Sequence, residues 1–389
     1  MAAGDSEIIY FDNNATTRVA PEALEAMMPF LGDRYGNPSS IHRFGGVIRR
    51  HVERAREQVA ALIGAEPEEI YFTSCGSESD NMALKGFYRE RGERARIITS
   101  AVEHPAVRNT ARFLRDDRGV PLTELPVDGD GMITPGAIDD HDVNPQTLVS
   151  LMWANNETGV IFPIREMAER VKARGGVFHT DAVQAIGKVS INVKDSPVDM
   201  LSLSGHKLHA PKGVGAAYFR SGVPVRPLIH GGHQENGLRA GTENVPYIIG
   251  LGRACELAKE RLDEENTRVR AMRDRLEREL LAKCKGAKLN GHPAARLPNT
   301  ANISFENIEG EAILLHLDEY GIAASSGSAC TTGSLEPSHV MMAMGIPYKY
   351  AHSSIRFSFS VYNTDSDVDK VISVMPGIVD KLRALSPFV

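Results

Sequence analysis

Short runs of β-forming residues alternate with longer amphipathic stretches over the first half of the chain, and this alternation limits the fold more than any other feature. The runs at 69–72, 96–99, 148–152, 177–179 and 200–203 have strand length, whereas 49–63, 81–89 and 164–174 carry apolar residues near helical spacing. The pattern predicts an α/β domain with a largely parallel sheet. At 389 residues the chain is long enough for a second unit, taking roughly 150 residues per domain. Strand candidates at 300–305 and 354–358 flank a helix at 310–319 and predict a smaller α+β domain at the carboxyl end. Between the two, residues 246–285 are helix-like, with a Glu/Arg-rich stretch at 260–279, and are expected to form a long solvated helix leading out of the first domain.

Composition removes several function classes. Lys plus Arg less Asp plus Glu is 44 − 50 = −6, which leaves no positive excess to neutralise a phosphate backbone, so nucleic-acid binding is not expected. The four cysteines, Cys75, Cys255, Cys284 and Cys330, form no CxxC pair and no zinc-spaced cluster, which argues against a disulfide framework or structural zinc. The first residues, Met1-Ala2-Ala3-Gly4-Asp5-Ser6-Glu7, show no basic stretch followed by an apolar one, and no run approaches the roughly 18 apolar residues of a membrane span, so neither a leader nor a span is expected. The expectation is a soluble cytoplasmic protein with reduced thiols and no membrane contact.

In open α/β sheets ligands sit beyond the carboxyl ends of the strands, so the residues that follow each run carry the functional information. Thr73-Ser74-Cys75-Gly76-Ser77-Glu78 is a small-residue turn feeding a helix, which suits a phosphate; an ordinary N-cap at Ser77 explains it as well. Asp181 follows the run at 177–179 and could pair with a cofactor nitrogen, bind a metal or cap a helix. Lys207, in Ser204-Gly205-His206-Lys207, follows the run at 200–203, where an ammonium at the top of a buried sheet can act as an imine-forming nucleophile; a surface lysine is the alternative. The separation 207 − 181 = 26 fits strand, helix and strand, placing both residues at one sheet edge.

A phosphate cradle, an aspartate for a pyridinium nitrogen and an imine-forming lysine together fit pyridoxal 5′-phosphate (PLP). His104, beyond the run at 96–99, could stack on such a ring and move protons, or be structural. In the second domain the small-residue segment 323–334 presents the thiol of Cys330, read as mobile and reactive rather than buried; Cys75, Cys255 and Cys284 are read as structural. Arg356, in a strand-like run, needs an anion, either a substrate carboxylate or a structural partner.

These segments closely resemble the NifS-type cysteine desulfurases, fold-type I PLP enzymes of the class-V aminotransferase family. The likeness runs from Tyr10-Phe11-Asp12-Asn13-Asn14-Ala15-Thr16-Thr17 to about Pro387. It includes Tyr35-Gly36-Asn37-Pro38, Met152-Trp153-Ala154-Asn155-Asn156-Glu157-Thr158-Gly159, the Lys207 segment, Arg239-Ala240-Gly241-Thr242-Glu243-Asn244 and residues 325–340. The resemblance implies a large PLP domain over 17–258, with a mainly parallel seven-stranded sheet, and a small α+β domain built from 1–16 and 259–389. It also implies a homodimer.

By the same resemblance Lys207 forms the imine with PLP, Asp181 pairs with the ring nitrogen and Gln184 donates to the ring's phenolic oxygen. Asn156 lies near that oxygen and the substrate. Gly76, Ser77, Ser204 and His206 bind the phosphate, and Thr242 reaches it from the other subunit. His104 is the stacking acid/base, Arg356 binds the substrate carboxylate, and Cys330 is the nucleophile that becomes a persulfide.

L-Cysteine would be converted to L-alanine, the sulfur passing to an iron–sulfur scaffold protein. Cys330, through its persulfide, is the one residue expected to touch an iron–sulfur centre transiently. The wording of Met152-Trp153-Ala154 and His209-Ala210-Pro211-Lys212 favours the nitrogenase branch over a housekeeping desulfurase that also feeds tRNA thiolation. An aminotransferase on the same fold is the chemically distinct alternative. Cys75 departs from many relatives, which carry glycine there.

Overall fold

The computed structural model describes residues 8–326 and 337–386. A short strand β1 (Ile9–Tyr10) opens the chain, followed by α1 (Pro21–Met27) and α2 (Arg43–Ile63). The central sheet is built from β2 (Ile70–Thr73), β3 (Arg96–Ser100), β4 (Leu122–Leu125), β5 (Thr147–Ser150), β6 (Val177–Asp181), β7 (Met200–Ser204) and β8 (Gly215–Phe219). Their spatial order is β2-β8-β7-β6-β5-β3-β4, and β8 alone runs antiparallel to its neighbours. The expected seven-stranded, mainly parallel sheet is therefore present.

Helices cover both faces. α3 (Gly76–Arg91) and α4 (Pro105–Arg118) lie on one side, and α2, α5 (Ile164–Lys172) and α6 (Val245–Glu260) on the other. The pleat sends successive residues of each strand to opposite faces. Ile97, Leu148, Val177 and Met200 join the core that includes Met82, Phe87, Val107 and Leu114. Their immediate neighbours Ile98, Val149, Phe178 and Leu201 join the core that includes Val52, Val59, Val171 and Leu251. Burial on both faces explains why these strands read as continuous apolar runs.

α2 shows how local sequence sets an element. His42 accepts a hydrogen bond from the Gly45 N–H at 3.1 Å to cap its start. Ile48, Val52, Ala55, Val59 and Ile63 bury one stripe, and Gly64 ends the helix at φ +71°, a conformation glycine adopts without strain.

A second sheet, in the order β12-β13-β10-β9, is antiparallel throughout and comprises β9 (Ala287–Leu289), β10 (Thr300–Phe305), β12 (Ser325–Ser326) and β13 (Ser354–Ser358). β11 (Ile322–Ala323) pairs in parallel with β1. Phe11 packs with residues of 269–379 in a core of their own, including Met272, Leu276, Ile303, Phe357 and Met375. The expected strands at 300–305 and 354–358 and the helix Gly310–Glu319 all form.

Residues 246–285 depart from expectation. Instead of one solvated helix, α6 buries Val245, Ile248, Leu251, Ala254, Cys255 and Leu257 against α1 and α2. A break at Arg261 and a π-helical turn at Glu265–Val269 precede the helix Arg270–Lys283. The charge density of 260–279 masked the apolar face of α6 before it. No helix among the described residues is long and apolar enough to cross a membrane.

The α2–α6 contact depends on a glycine. A Cβ on Gly252 would lie 2.7 Å from both Cα and Cβ of Ala55. Gly252→Ala is therefore expected to cost about 1–3 kcal/mol through overpacking, read as a lowered urea midpoint.

Candidate active site

The carboxyl ends of β2, β3, β5, β6 and β7 open on a cavity of about 270 Å³. It is lined by Gly76, Ser77, His104, Asn156, Asp181, Gln184, Ser204, His206, Lys207 and Arg356, together with Asn14, Ala15, Cys75, Asp80, Met152, Ala154 and Val183. The structure thus brings together residues that the sequence places after separate strands.

At one end of the cavity α3 begins. Its N-cap, Cys75, is extended and makes no side-chain capping bond, so the first N–H groups of the helix have no side-chain acceptor there. A Cβ on Gly76 would come 2.7 Å from Val183 Cγ2 and 3.3 Å from Ser204 Cβ, so only glycine leaves this approach open. Ser204 closes β7, and His206 lies on the turn that follows. Burial, aided by the Lys207 charge, lowers His206 to about 4, and its Nδ1 lies 3.2 Å from Thr16 Oγ1.

At the other end Asp181 ends β6, its Oδ1 accepting the Val183 N–H at 2.9 Å. Burial raises its pKa, while His104, that N–H and Lys207 favour the charged form. His104 caps α4 by accepting the Ala106 N–H at Nδ1, 3.1 Å away. Burial lowers its pKa, so the neutral ring carries its proton on Nε2. Gln184 donates to the Asn14 carbonyl at 3.0 Å, and its buried Oε1 has no partner among the described residues.

Lys207 donates from Nζ to the carbonyls of Asn14 and Ala15, both at 2.6 Å. Asn14 is itself fixed: its N–H donates to Ser358 Oγ at 2.9 Å, its Nδ2 to Thr300 Oγ1 at 2.9 Å, and its Oδ1 accepts from Asn299 Nδ2 at 3.1 Å. Arg356, 4% exposed on β13, pairs with Asp12 Oδ1 at 2.8 Å and donates to the Asn156 carbonyl at 2.8 Å, leaving Nε without a partner among the described residues. The structural ion pair is therefore present, and the same guanidinium also lines the cavity.

Two expected residues stand apart. Thr242 is exposed and does not line this cavity within a single chain. Cys330 lies outside the described residues, in a segment bounded by Ser326 and residue 337. Just before that segment Ser325 pairs in register with Arg356, and just after it Ser338 donates to Glu157 at 2.5 Å. Of the other cysteines, Cys255 and Cys284 are buried, with thiols pushed up by desolvation, Cys284 to about 11. Cys75 differs from them in lining the cavity.

The Aminotransferase class-V family matches residues 9–371. A cysteine desulfurase of Gluconacetobacter diazotrophicus is 57% identical over 382 residues, covering 98% of this chain and 95% of that protein. The cysteine desulfurase NifS of Azotobacter vinelandii is 54% identical over 381 residues, covering 98% and 94%. The chain belongs to the class-V aminotransferase family, among its cysteine desulfurases. Among solved structures, a NifS-like protein superposes with a TM-score of 0.90 at 42% identity, covering 96% of this chain and 100% of the other. SspA in complex with cysteine gives 0.80 at 35% identity, covering 91% and 99%.

Sequence reasoning assigned no role to Asn14, Ala15, Asp80 or Glu103. The polar run after β1 was the available signal for Asn14. Glu103 had none, because an acid beside His104 reads as solvated. In this desulfurase fold it is fully buried; Oε1 accepts from Ser100 Oγ at 2.5 Å and the Met152 N–H at 3.1 Å, and Oε2 has no partner among the described residues. Burial pushes its pKa from 4.5 up to about 8. The folded state therefore holds a proton that the unfolded chain releases, and the associated stability is full below pH 4.5 and lost as pH rises towards 8. Glu103→Gln is expected to flatten that loss, melting above the parent by a few degrees at pH 8 and level with it at pH 4.5.

Proposed function

We propose that this chain uses PLP to convert L-cysteine to L-alanine, taking the sulfur onto Cys330 as a persulfide and passing it to an iron–sulfur scaffold protein. The observation that carries this reading is the convergence of the separately derived Lys207, Asp181, His104 and phosphate-turn residues on one cavity.

The residues present fit PLP. The open start of α3, the cradle at Gly76 that a Cβ would fill, and Ser77, Ser204 and His206 suit a phosphate. Asp181 suits a protonated ring nitrogen; the unpartnered Gln184 atom is the acceptor Oε1, so donation to the ring's phenolic oxygen requires the amide to turn and release the Asn14 carbonyl. Asp80, His104 and Asp181 bring donor atoms within 4.8 Å of one another, a set a divalent ion could also use, but the adjacent lysine and phosphate cradle favour the organic cofactor.

PLP, when bound, supplies an electron sink that acidifies the substrate Cα–H. The chain's own residues do the rest. Lys207 holds the group through Nζ and moves the proton at Cα. Asp181 keeps a proton on the ring nitrogen, and His104 covers the ring face with a proton available at Nε2. Arg356 and Asn156 orient the substrate, the guanidinium binding its carboxylate. The Cys330 thiolate attacks the substrate sulfur; the S–S bond forms as the C–S bond breaks, and the carbon left behind takes a proton to give alanine.

A homodimer, with Thr242 completing the partner's phosphate site, is supported by the exposed Leu24, Met28, Leu31, Tyr35, Ile41 and Phe44, which crowd one stretch of chain. The division into 17–258 and 1–16 with 259–389 is supported by the separate core around Phe11 and Met272. The NifS name of the Azotobacter relative supports a nitrogenase-directed role.

Incubation of the PLP-loaded protein with L-cysteine is expected to yield alanine and protein persulfide in equal amounts. Cys330→Ala should retain the cofactor's absorbance yet form neither product, while Lys207→Ala should lose the imine band. Full alanine formation by Cys330→Ala would overturn the reading. Arg356→Gln is expected to raise KM for L-cysteine by about tenfold to a hundredfold, the cost of losing a charged hydrogen-bonded partner, in steady-state alanine assays.

A further inference from the structure

A second carboxyl lies on the floor of the cavity. Asp80, one turn into α3, is 1% exposed and lines the same space as Asp181. Donor atoms of Asp80, His104 and Asp181 lie within 4.8 Å of one another. Two carboxylates this close and this buried cannot both hold charge cheaply. Their surroundings differ. Asp181 accepts the Val183 N–H at 2.9 Å and feels Lys207 and His104. Asp80 Oδ1 is buried with no hydrogen-bond partner among the described residues, and His179 Nε2 is 3.7 Å away.

Behind Asp80 the groups are neutral. His179 is fully buried, and desolvation lowers it to about 3, so it carries no charge. Its Nε2 lies 3.0 Å from Ser202 Oγ and its Nδ1 2.8 Å from Ser150 Oγ. A neutral imidazole can donate on one side and accept on the other, so this chain across β5, β6 and β7 is satisfied without a cation. Burial opposes the ionisation of Asp80 most, the Asp181 charge adds to that, and the Ser202 hydroxyl favours it; Glu103 beside them keeps its own proton at neutral pH.

We propose that Asp80 keeps its proton at neutral pH and so reserves the buried negative charge of the cavity floor for Asp181, which makes Asp80 a positioning residue for the ring nitrogen. The proposal rests on the reading of Asp181 as the partner of that nitrogen. A charged Asp80 would compete with Asp181 for the same proton and weaken its hold on the ring. A neutral Asp80 fills the space beside it without that competition.

Infrared spectroscopy of protein labelled with ¹³C-aspartate tests this directly, in the PLP-loaded and PLP-stripped forms. The expected result at neutral pH is a carboxylic-acid carbonyl band that moves with the label in the parent and is missing from Asp80→Asn. In stripped Asp181→Asn the band should persist at low pH but titrate at least about one unit lower, because the neighbouring charge is gone. A parent without the band, a band unchanged in Asp80→Asn, or a midpoint unmoved in Asp181→Asn would overturn the proposal. Asp181→Asn supplies the decision if Asp80→Asn does not fold.

The absorbance of bound PLP separates a neutral Asp80 from a charged one. Exchange of a neutral acid for a neutral amide should leave the pH midpoint of the imine band within about 0.3 unit, and a shift of about one unit or more would overturn the proposal. Failure of the Asp181 reading would appear differently, as an Asp181→Asn protein whose PLP spectrum matches the parent while the infrared band is still present.

Discussion

Two main-chain carbonyls, those of Asn14 and Ala15, hold the Lys207 ammonium, and the rest of the site is arranged around that grip. Lys207 comes from the turn after β7 of the large sheet, whereas Asn14 is tied by Ser358 and Thr300 to the small sheet. Gln184 donates to the same Asn14 carbonyl. The amino-terminal segment therefore joins the two sheets at the atom where chemistry is proposed to begin. A site built this way forms only when both sheets and the early segment are in place, so orientation is set by the fold rather than by side-chain freedom.

Arg356 extends the same logic. Its guanidinium is shared between Asp12, on the early segment, and the Asn156 carbonyl, on the loop after β5. Asn155 holds that loop by accepting the N–H groups of Glu157 and Thr158 at Oδ1 while donating to the Val102 carbonyl. One asparagine of the pair thus shapes the turn and leaves its neighbour, Asn156, facing the cavity. Ser325 lies opposite Arg356 in the small sheet, which places the last described strand before residue 327 at this corner.

The large sheet was legible because burial on both faces leaves apolar runs that no surface helix shares. β4 and β8 were not: Leu122–Leu125 is only partly buried at the sheet edge, and Gly215-Ala216-Ala217 carries little β propensity and forms a strand only where β2 and β7 supply partners. α4 was hidden by its charge, although Pro105 at its start and the left-handed Gly119 at its end are ordinary helix punctuation. At the site, residues immediately after strands could be read because chain position fixes which edge they reach. Asp80 and Glu103 could not, because nothing in a sequence distinguishes a buried acid from a solvated one when its partners come from distant strands.

That distinction governs how the cavity carries charge. Burial lowers His104, His206 and His179, so at neutral pH none of the three supplies a cation. The neutral His206 ring meets Thr16 Oγ1 at Nδ1, 3.2 Å away, a contact that either tautomer can make because the hydroxyl both donates and accepts. The phosphate proposed for the start of α3 would then be met mainly by hydrogen-bond donors and the helix dipole rather than by titrating cations. Donors in fixed positions select for shape as well as charge. Lys207, held by the Asn14 and Ala15 carbonyls, and Arg356, held by Asp12, stand apart from that donor set, so the two ends of the cavity differ in the kind of recognition they offer.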